Sequence, residues 1–283
     1  MYYGIITLSA FMFAVQFFFT DMFRKAYGDD LTAMLVSSAG GALTGMIILS
    51  AASGFSFGST PFSLIMAVIT AINCGAVSYC GLKALGKVNL SVYSLYMMTG
   101  GMVLPCVVGI AFFDERVTAG KILCIVFIIA ALFISTDFSD KKSGVGYCLG
   151  IFVLNGMAGV LAKIYQASDF DKVSAPEYSF LCAAVGFILP AALIAGMRKS
   201  LRPISAAAAF AVCAKGILEK LANLLLLLSL AVLPASVQYP FITGGTVIFS
   251  TLLGFFTPSK PKKRELVSVA VSFAALAIMF FAE

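Results

Sequence analysis

The sequence contains no histidine and no tryptophan, and only 11% of its residues are charged. Without histidine, the usual general base and the commonest metal ligand are missing. A soluble chain of this length would carry about a quarter charged residues. The seven cysteines, Cys74, Cys80, Cys106, Cys124, Cys148, Cys182 and Cys213, form no C-x-x-C pair, and all lie within apolar runs. They read as small hydrophobes packed between helices, and no metal or other cofactor is expected. Without tryptophan, anchoring at a membrane interface falls to tyrosines such as Tyr2, Tyr3 and Tyr27. The first residues show no basic region and no small-residue cleavage site, so the first apolar run is expected to be a spanning helix.

Apolar residues fill the space the charges leave, at 61% of the chain. They fall in runs of roughly 20, the length that crosses a bilayer core of about 30 Å as a helix. In hydrocarbon every backbone polar group must be bonded internally, so only helices or a closed barrel span. A barrel would alternate apolar and polar residues in segments of about ten. These runs do not alternate. The expected fold is an all-α polytopic membrane protein with the bilayer as its first partner. The net charge of +6 is spread in short clusters between apolar runs, where basic residues meet phospholipid headgroups, so no nucleic-acid partner is implied.

The spacing predicts ten spans: Tyr3–Thr20, Leu31–Ala52, Pro61 to about Lys83, Leu90–Phe113 and Lys121–Thr136, then Gly146–Gln166, Ala175–Met197, Ser205–Val232, Ala235–Thr257 and Leu266–Ala282. The polar DMFRKAYGDD is expected to close the first. Residues 138–143, the most charged stretch, link a first half (1–137) to a second (144–283). Pro105, Pro190 and Pro240 fall inside spans, where proline bends a helix.

The halves repeat each other. LSVYSLYMMTGG, Leu90–Gly101, returns as LPASVQYPFITGG, Leu233–Gly245, with Thr99-Gly100-Gly101 on Thr243-Gly244-Gly245 at an offset of 144. Near the start an offset of 142 sets Gly4 on Gly146 and Asp21 on Lys163. Five spans is an odd number, so two such halves must have opposite orientations. That predicts two inverted five-helix repeats with a solute site near the midplane, the construction of many secondary transporters.

Two stretches resemble the drug/metabolite transporter superfamily in its ten-helix, EamA-type branch. GIAFFDERVTAGKILCIVFIIAALFIS, Gly109–Ser135, has the Glu115-Arg116 pair and Thr118 between two apolar helices; LANLLLLLSLAVLPASVQYPFITGG, Leu221–Gly245, is similar to the family's eighth-to-ninth helix junction. The second half departs from the pattern, with Pro258-Ser259-Lys260 where an acidic–basic pair would stand. The resemblance implies a secondary active transporter of a small organic metabolite or drug-like solute. It would work by alternating access, coupled to protons or to a counter-substrate, in the cell membrane, as a monomer or homodimer. It also implies that the first, third, fourth, sixth, eighth and ninth helices are central. A passive channel or a non-transporting membrane subunit is the alternative. An intramembrane enzyme would need a catalytic constellation at one depth, and the chain offers no histidine and no H-E-x-x-H. Gly54–Gly58 matches G-x-S-x-G only formally, without strand or histidine, and reads as a loop.

The candidate site residues lie within spans. Glu219 stands about 14 residues into the eighth span, roughly 21 Å deep at 1.5 Å per residue. An ionisable group at that depth faces a partner or a watery cavity. Two readings stay open. Glu219 is a proton acceptor or cation site, or Lys215 and Glu219, four apart on one helix face, form a structural pair. Lys220 points about 100° away. The repeat sets Glu219 against Gly75, leaving room beside it. Tyr79, Tyr96, Asn223, Gln238 and Tyr239 are the polar candidates for a cavity wall; Gln16, Asn73, Tyr93 and Asn155 are further polar residues within spans. The 26 Phe and 10 Tyr would suit an organic cation held by cation–π contact. Asp21 and Lys163 occupy equivalent positions, as solvated ends or as a facing gate. Gly41–Gly45 and Gly146–Gly150 match G-x-x-x-G, which lets helices approach.

Charge placement gives two conflicting orientations. Arg24, Lys25, Lys83, Lys87, Lys141, Lys142, Arg198, Lys199, Arg202, Lys260, Lys262, Lys263 and Arg264 follow odd-numbered spans, against Arg116, Lys121, Lys163 and Lys172 on the other side. The positive-inside rule puts the first group in the cytoplasm and the termini outside, whereas the resemblance implies cytoplasmic termini.

Overall fold

The computed structural model describes residues 2–52, 58–112, 118–135, 144–197, 201–230, 235–257 and 260–281. Among them it is all-helical: α1 (Tyr2–Tyr27), α2 (Leu31–Ala52), α3 (Pro61–Leu85), α4 (Leu90–Phe112), α5 (Ala119–Ser135), α6 (Val145–Ala167), α7 (Ala175–Gly196), α8 (Ala206–Leu230), α9 (Ala235–Gly254) and α10 (Lys263–Phe281). Six of these, α1 to α4, α6 and α7, are long and apolar enough to cross a membrane. The described cysteines are free thiols. The expected linker 138–143, the Glu115-Arg116 pair, Pro258-Ser259 and Gly54–Phe57 lie outside the described residues.

Small polar side chains start the helices. Asp30 accepts from Ala33 N at 3.0 Å, Asn89 from Val92 N at 3.0 Å, and Ser205 from Ala208 N at 3.2 Å. Thr60 accepts from Ser63 N and is followed by Pro61, whose missing N–H costs nothing in a first turn. Ser174 N donates to Glu177 at 3.0 Å, closing a capping box on α7. Asn89, the first residue of a formal glycosylation sequon, is taken up by this cap and by Glu265.

One boundary differs from the sequence expectation by more than three residues. The first helix does not stop at Thr20 but continues through DMFRKAY to Tyr27. Its charges are matched along the helix: Asp21 pairs with Arg24 at 2.8 Å and with Lys25 at 2.5 Å. Pairs three and four apart support a helix, so a polar stretch here extends it. Helices α4 and α7 also continue past Pro105 and Pro190.

Among the described residues, the loops after α1, α3, α7 and α9 share one end of the bundle. There Lys83 meets Asp29 at 3.1 Å, Arg202 meets Asp30 at 2.7 Å, and Asn89 meets Glu265. The loops between α2 and α3 and between α6 and α7 meet at the other end. Thr60 donates to the Asp171 carbonyl at 2.9 Å and Gly58 N to Glu177 at 3.2 Å. Tyr165 is sandwiched there between Tyr178, centroid 3.7 Å away, and Phe62, 5.7 Å away, and its hydroxyl meets Ser63 at 2.9 Å.

These ends separate Asp21 from Lys163. Asp21 lies near the end of α1, at the odd-loop end, and Lys163 near the end of α6, at the opposite one. Lys163 donates to the Pro105 carbonyl at 3.1 Å. The facing-gate expectation is therefore overturned. Equivalent positions in antiparallel helices are carried to opposite ends.

The packing has a consistent pairing. Helix α2 lies on α7, α5 on α10 and α4 on α9, while α1 packs on α8 and α9, and α6 packs on α3 and α4. Helices α4 and α6 approach each other closely. A Cβ at Gly100 would overlap the Phe152 carbonyl, one at Gly156 would lie 2.6 Å from the Gly100 carbonyl, and one at Gly159 would lie 2.5 Å from Pro105 Cγ. On the other side Gly245 abuts α1, where a Cβ would sit 3.1 Å from that of Ala10. Of the two G-x-x-x-G matches, Gly45 and Gly150 meet neighbouring side chains, but a Cβ at Gly41 or Gly146 would meet nothing.

Candidate functional site

A cavity of about 350 Å³ lies between α1, α3, α4, α6, α8 and α9. Its walls are mostly apolar, with Phe13, Phe17, Tyr93, Met97, Met98, Leu226 and Ile242, and carry the polar groups Gln16, Thr20, Ser78, Asn155, Lys215, Glu219, Asn223 and Thr243. A concave apolar space with a few converging polar groups is the usual form of a small-molecule site. A second cavity of about 150 Å³, between α2, α3, α7 and α8, is lined by Ser37, Ser38, Thr70, Ser179, Cys182 and Lys220 among others. The two share Cys74, Ser78, Lys215 and Glu219. Gly75 and Glu219 both line the smaller one, and a Cβ at Gly75 would meet nothing.

Helix α8 supplies the charges. Glu219 lies 13 residues beyond Ala206, about 20 Å along the axis at 1.5 Å per residue. Its carboxylate pairs with its neighbour Lys220 at 2.6 Å. Lys215 is buried at 8% exposure and donates to the Ser37 hydroxyl of α2 at 3.1 Å. The expected Lys215–Glu219 pair is thus replaced. A long lysine stem bridges the 100° between adjacent positions, and Gly45 makes room for it, since a Cβ there would lie 2.9 Å from Lys220 Cε. Lys215 is held against α2 by the close approach at Gly216, where a Cβ would overlap Thr44 Oγ1 and lie 3.0 Å from Gly41 Cα. Gly45→Val is expected to displace Lys220 from Glu219 and to lower the melting temperature of the purified protein, measured by thermal unfolding.

The other expected site residues divide. Asn223 lines the cavity and donates to the Glu219 carbonyl at 2.8 Å. Tyr96 does not line it; at 2% exposure it belongs to the apolar cluster around Phe17, Leu90 and Ile151. Tyr93, three positions earlier, faces the cavity instead. Three positions on a helix is 300° of rotation, and spacing alone does not say which tyrosine turns inward. Tyr79 is also absent from the lining, and its ring lies 6.0 Å from Lys83 Nζ toward the odd-loop end. The side chains of Gln238 and Tyr239 lie outside the described residues.

Gln16 and Asn155 reach the cavity although the sequence reading put neither in the site. A signal for them existed. Phe13, Gln16 and Phe17 of α1 fall on Asn155, Ala158 and Gly159 of α6 at the offset of 142, and all six line the cavity. The amides also tie helices together. Asn155 donates to the Met97 carbonyl at 2.7 Å and Asn73 to the Leu154 carbonyl at 3.0 Å. Among the described residues, no group of three or more metal-ligating side chains gathers anywhere.

The fold has a solved counterpart. One crystal structure, described by name only as a protein, aligns with a TM-score of 0.61 at 13% identity, over 96% of this chain and 95% of that one. At that identity the likeness shows the fold alone. No family model matches the sequence, and no curated protein matches it.

Proposed function

We propose that this protein is a secondary transporter that carries a small organic solute through the 350 Å³ cavity by alternating access. One observation carries the reading: an apolar cavity deep in an all-helical, membrane-type bundle contains the charged groups Lys215 and Glu219. Ionisable groups at such depth mark solute or ion paths.

The helix pairing supports an inverted repeat beneath it. Exchanging each helix with the one five places on maps α2–α7, α4–α9 and α5–α10 onto themselves, α1–α8 onto α6–α3, and α1–α9 onto α6–α4. The matched cavity positions on α1 and α6 support it also. In this reading all ten helices span, and α8 crosses despite three charges because they face the cavities. The resemblance to the EamA-type transporters agrees with this architecture. The membrane is the cell membrane, and coupling is to protons or a counter-substrate, with Glu219 as the coupling or charge-recognition residue.

The test begins with a thermal-stability screen of the purified protein against organic acids, amines and neutral metabolites. Compounds that stabilise it are then offered to proteoliposomes. Saturable, gradient-dependent uptake is expected. Ala158→Phe, which places a phenyl ring on the cavity wall, is expected to abolish uptake while leaving the melting temperature near that of the parent. Non-saturable flux, or uptake unchanged by Ala158→Phe, would exclude carriage through this cavity and favour a passive channel or a non-transporting subunit.

A further inference from the structure

We infer that the cavity takes a monoanionic carboxylate with an apolar, aromatic-sized body, and that Lys215 is its charge partner; this inference builds on the transport reading above. The ionised side chains lining the two neighbouring cavities are Lys215, Glu219 and Lys220 among the described residues. Glu219 is already engaged by Lys220 at 2.6 Å. That leaves one positive charge, on Lys215, whose hydrogen bond goes to the neutral hydroxyl of Ser37. No carboxylate lies within ion-pair distance of Lys215 among the described residues.

A buried ammonium without a counter-ion is costly, and a ligand that brings the opposite charge removes the cost. An organic cation would meet the reverse, two ammonium groups and one carboxylate that is already paired. The aromatic walls that would suit a cation by cation–π contact are therefore better read as cover for an apolar body. The charge count also selects among anions. A phosphate ester carries close to two charges and is favoured by forked guanidinium donors, and no arginine lines either cavity among the described residues. One lysine matches one carboxylate.

Polarity gives the ligand a direction. Lys215 lines both cavities. The smaller side offers hydroxyls from Ser37, Ser38, Thr70 and Ser179. The Ser38 hydroxyl is buried and has no hydrogen-bond partner among the described residues, so it can donate to a carboxylate oxygen. The larger side is walled by Phe13, Phe17, Met97 and Met98. The carboxylate belongs beside Lys215 and the apolar body in the larger cavity.

Three probes of one shape test the charge: 3-phenylpropionate, 3-phenylpropionamide and 3-phenylpropylamine, which are negative, neutral and positive. Each is titrated into the detergent-solubilised protein by thermal shift and supplied to proteoliposomes. The expected order is carboxylate first, at least about tenfold tighter than the amide, with the amine last. Lys215→Gln is expected to erase the preference and Lys215→Arg to retain it. If the variants fail to fold, the charge series on the parent protein decides by itself. Equal or tighter binding of the amide or amine, blocked by Ala158→Phe, overturns the charge assignment and keeps the transport reading. Failure of all three to bind overturns the assignment as well. The transport reading then stands if the wider screen finds a saturable solute, and falls with the assignment if it finds none.

Discussion

Gly100→Val is expected to give a protein that cannot be purified as a single monodisperse species from detergent. At this position the obstacle is backbone. A Cβ would overlap the Phe152 carbonyl oxygen and lie 2.7 Å from the Phe152 Cα. A flexible side chain could swing away, but a helix backbone moves only as a whole. Gly156 makes the reciprocal approach, where a Cβ would lie 2.6 Å from the Gly100 carbonyl. Valine would therefore prise α4 from α6 along the entire contact. Overpacking a close-packed site costs about 1–3 kcal/mol and more where backbone must shift. Separation would also stretch the 2.7 Å bond from Asn155 to the Met97 carbonyl, worth about 1 kcal/mol. A loss of about 4 kcal/mol is large against total stabilities of about 5–15 kcal/mol. Gly146→Ala is the control. A Cβ there meets nothing within 4 Å, and replacing a helical glycine by alanine is favourable by about 0.5–1 kcal/mol. Its melting temperature is expected to equal or exceed the parent's. A well-behaved Gly100→Val with an unchanged melting temperature would show that α4 and α6 are not packed this closely.

Much of this architecture was legible in the sequence because hydrocarbon leaves a chain few choices. Where apolar residues run on without alternation, a helix is required, and α2 runs from Leu31 to Ala52 as the sequence reading expected. The repeated TGG marked glycines that prove to be contact surfaces, Gly100 against α6 and Gly245 against α1. What the sequence hid was rotation and reach. It could not tell which of Tyr93 and Tyr96 turns inward, because that depends on how α4 is rotated against α6 and α9. It placed Lys215 and Glu219 together by backbone spacing, but a lysine side chain is long enough for Lys220 to take the carboxylate instead. It ended α1 at Thr20, just before charges that in fact neutralise one another along one more stretch of helix. The positive-inside tally finds a physical setting too. Several of its residues, Arg24, Lys25, Lys83 and Arg202, are paired with Asp21, Asp29 and Asp30 at one end of the bundle.

Glu219→Gln is expected to abolish driven transport, and the design of the experiment must separate that loss from a loss of fold. Removing the carboxylate leaves Lys220 without its 2.6 Å partner in a site where the two side chains keep 24% and 30% exposure. Stranding one member of a fully buried pair costs about 3–5 kcal/mol. Exposure toward a cavity lowers this, to about 1–3 kcal/mol. The single variant is therefore expected to melt earlier as well as to transport poorly. Glu219→Gln combined with Lys220→Met removes both charges and the stranded ammonium with them. Its melting temperature is expected to return toward the parent's, and its proteoliposome uptake is expected to stay at least about tenfold down, equivalent to about 1.4 kcal/mol. Such a result would separate the role of Glu219 in transport from its role in the pair. If uptake recovers together with stability, Glu219 only neutralises Lys220, and coupling must come from another group. Comparing thermal-shift titrations of 3-phenylpropionate for parent and double variant extends the same reasoning. Both keep a single unpaired positive charge, on Lys215, so both are expected to bind the carboxylate with similar affinity even though only the parent moves it.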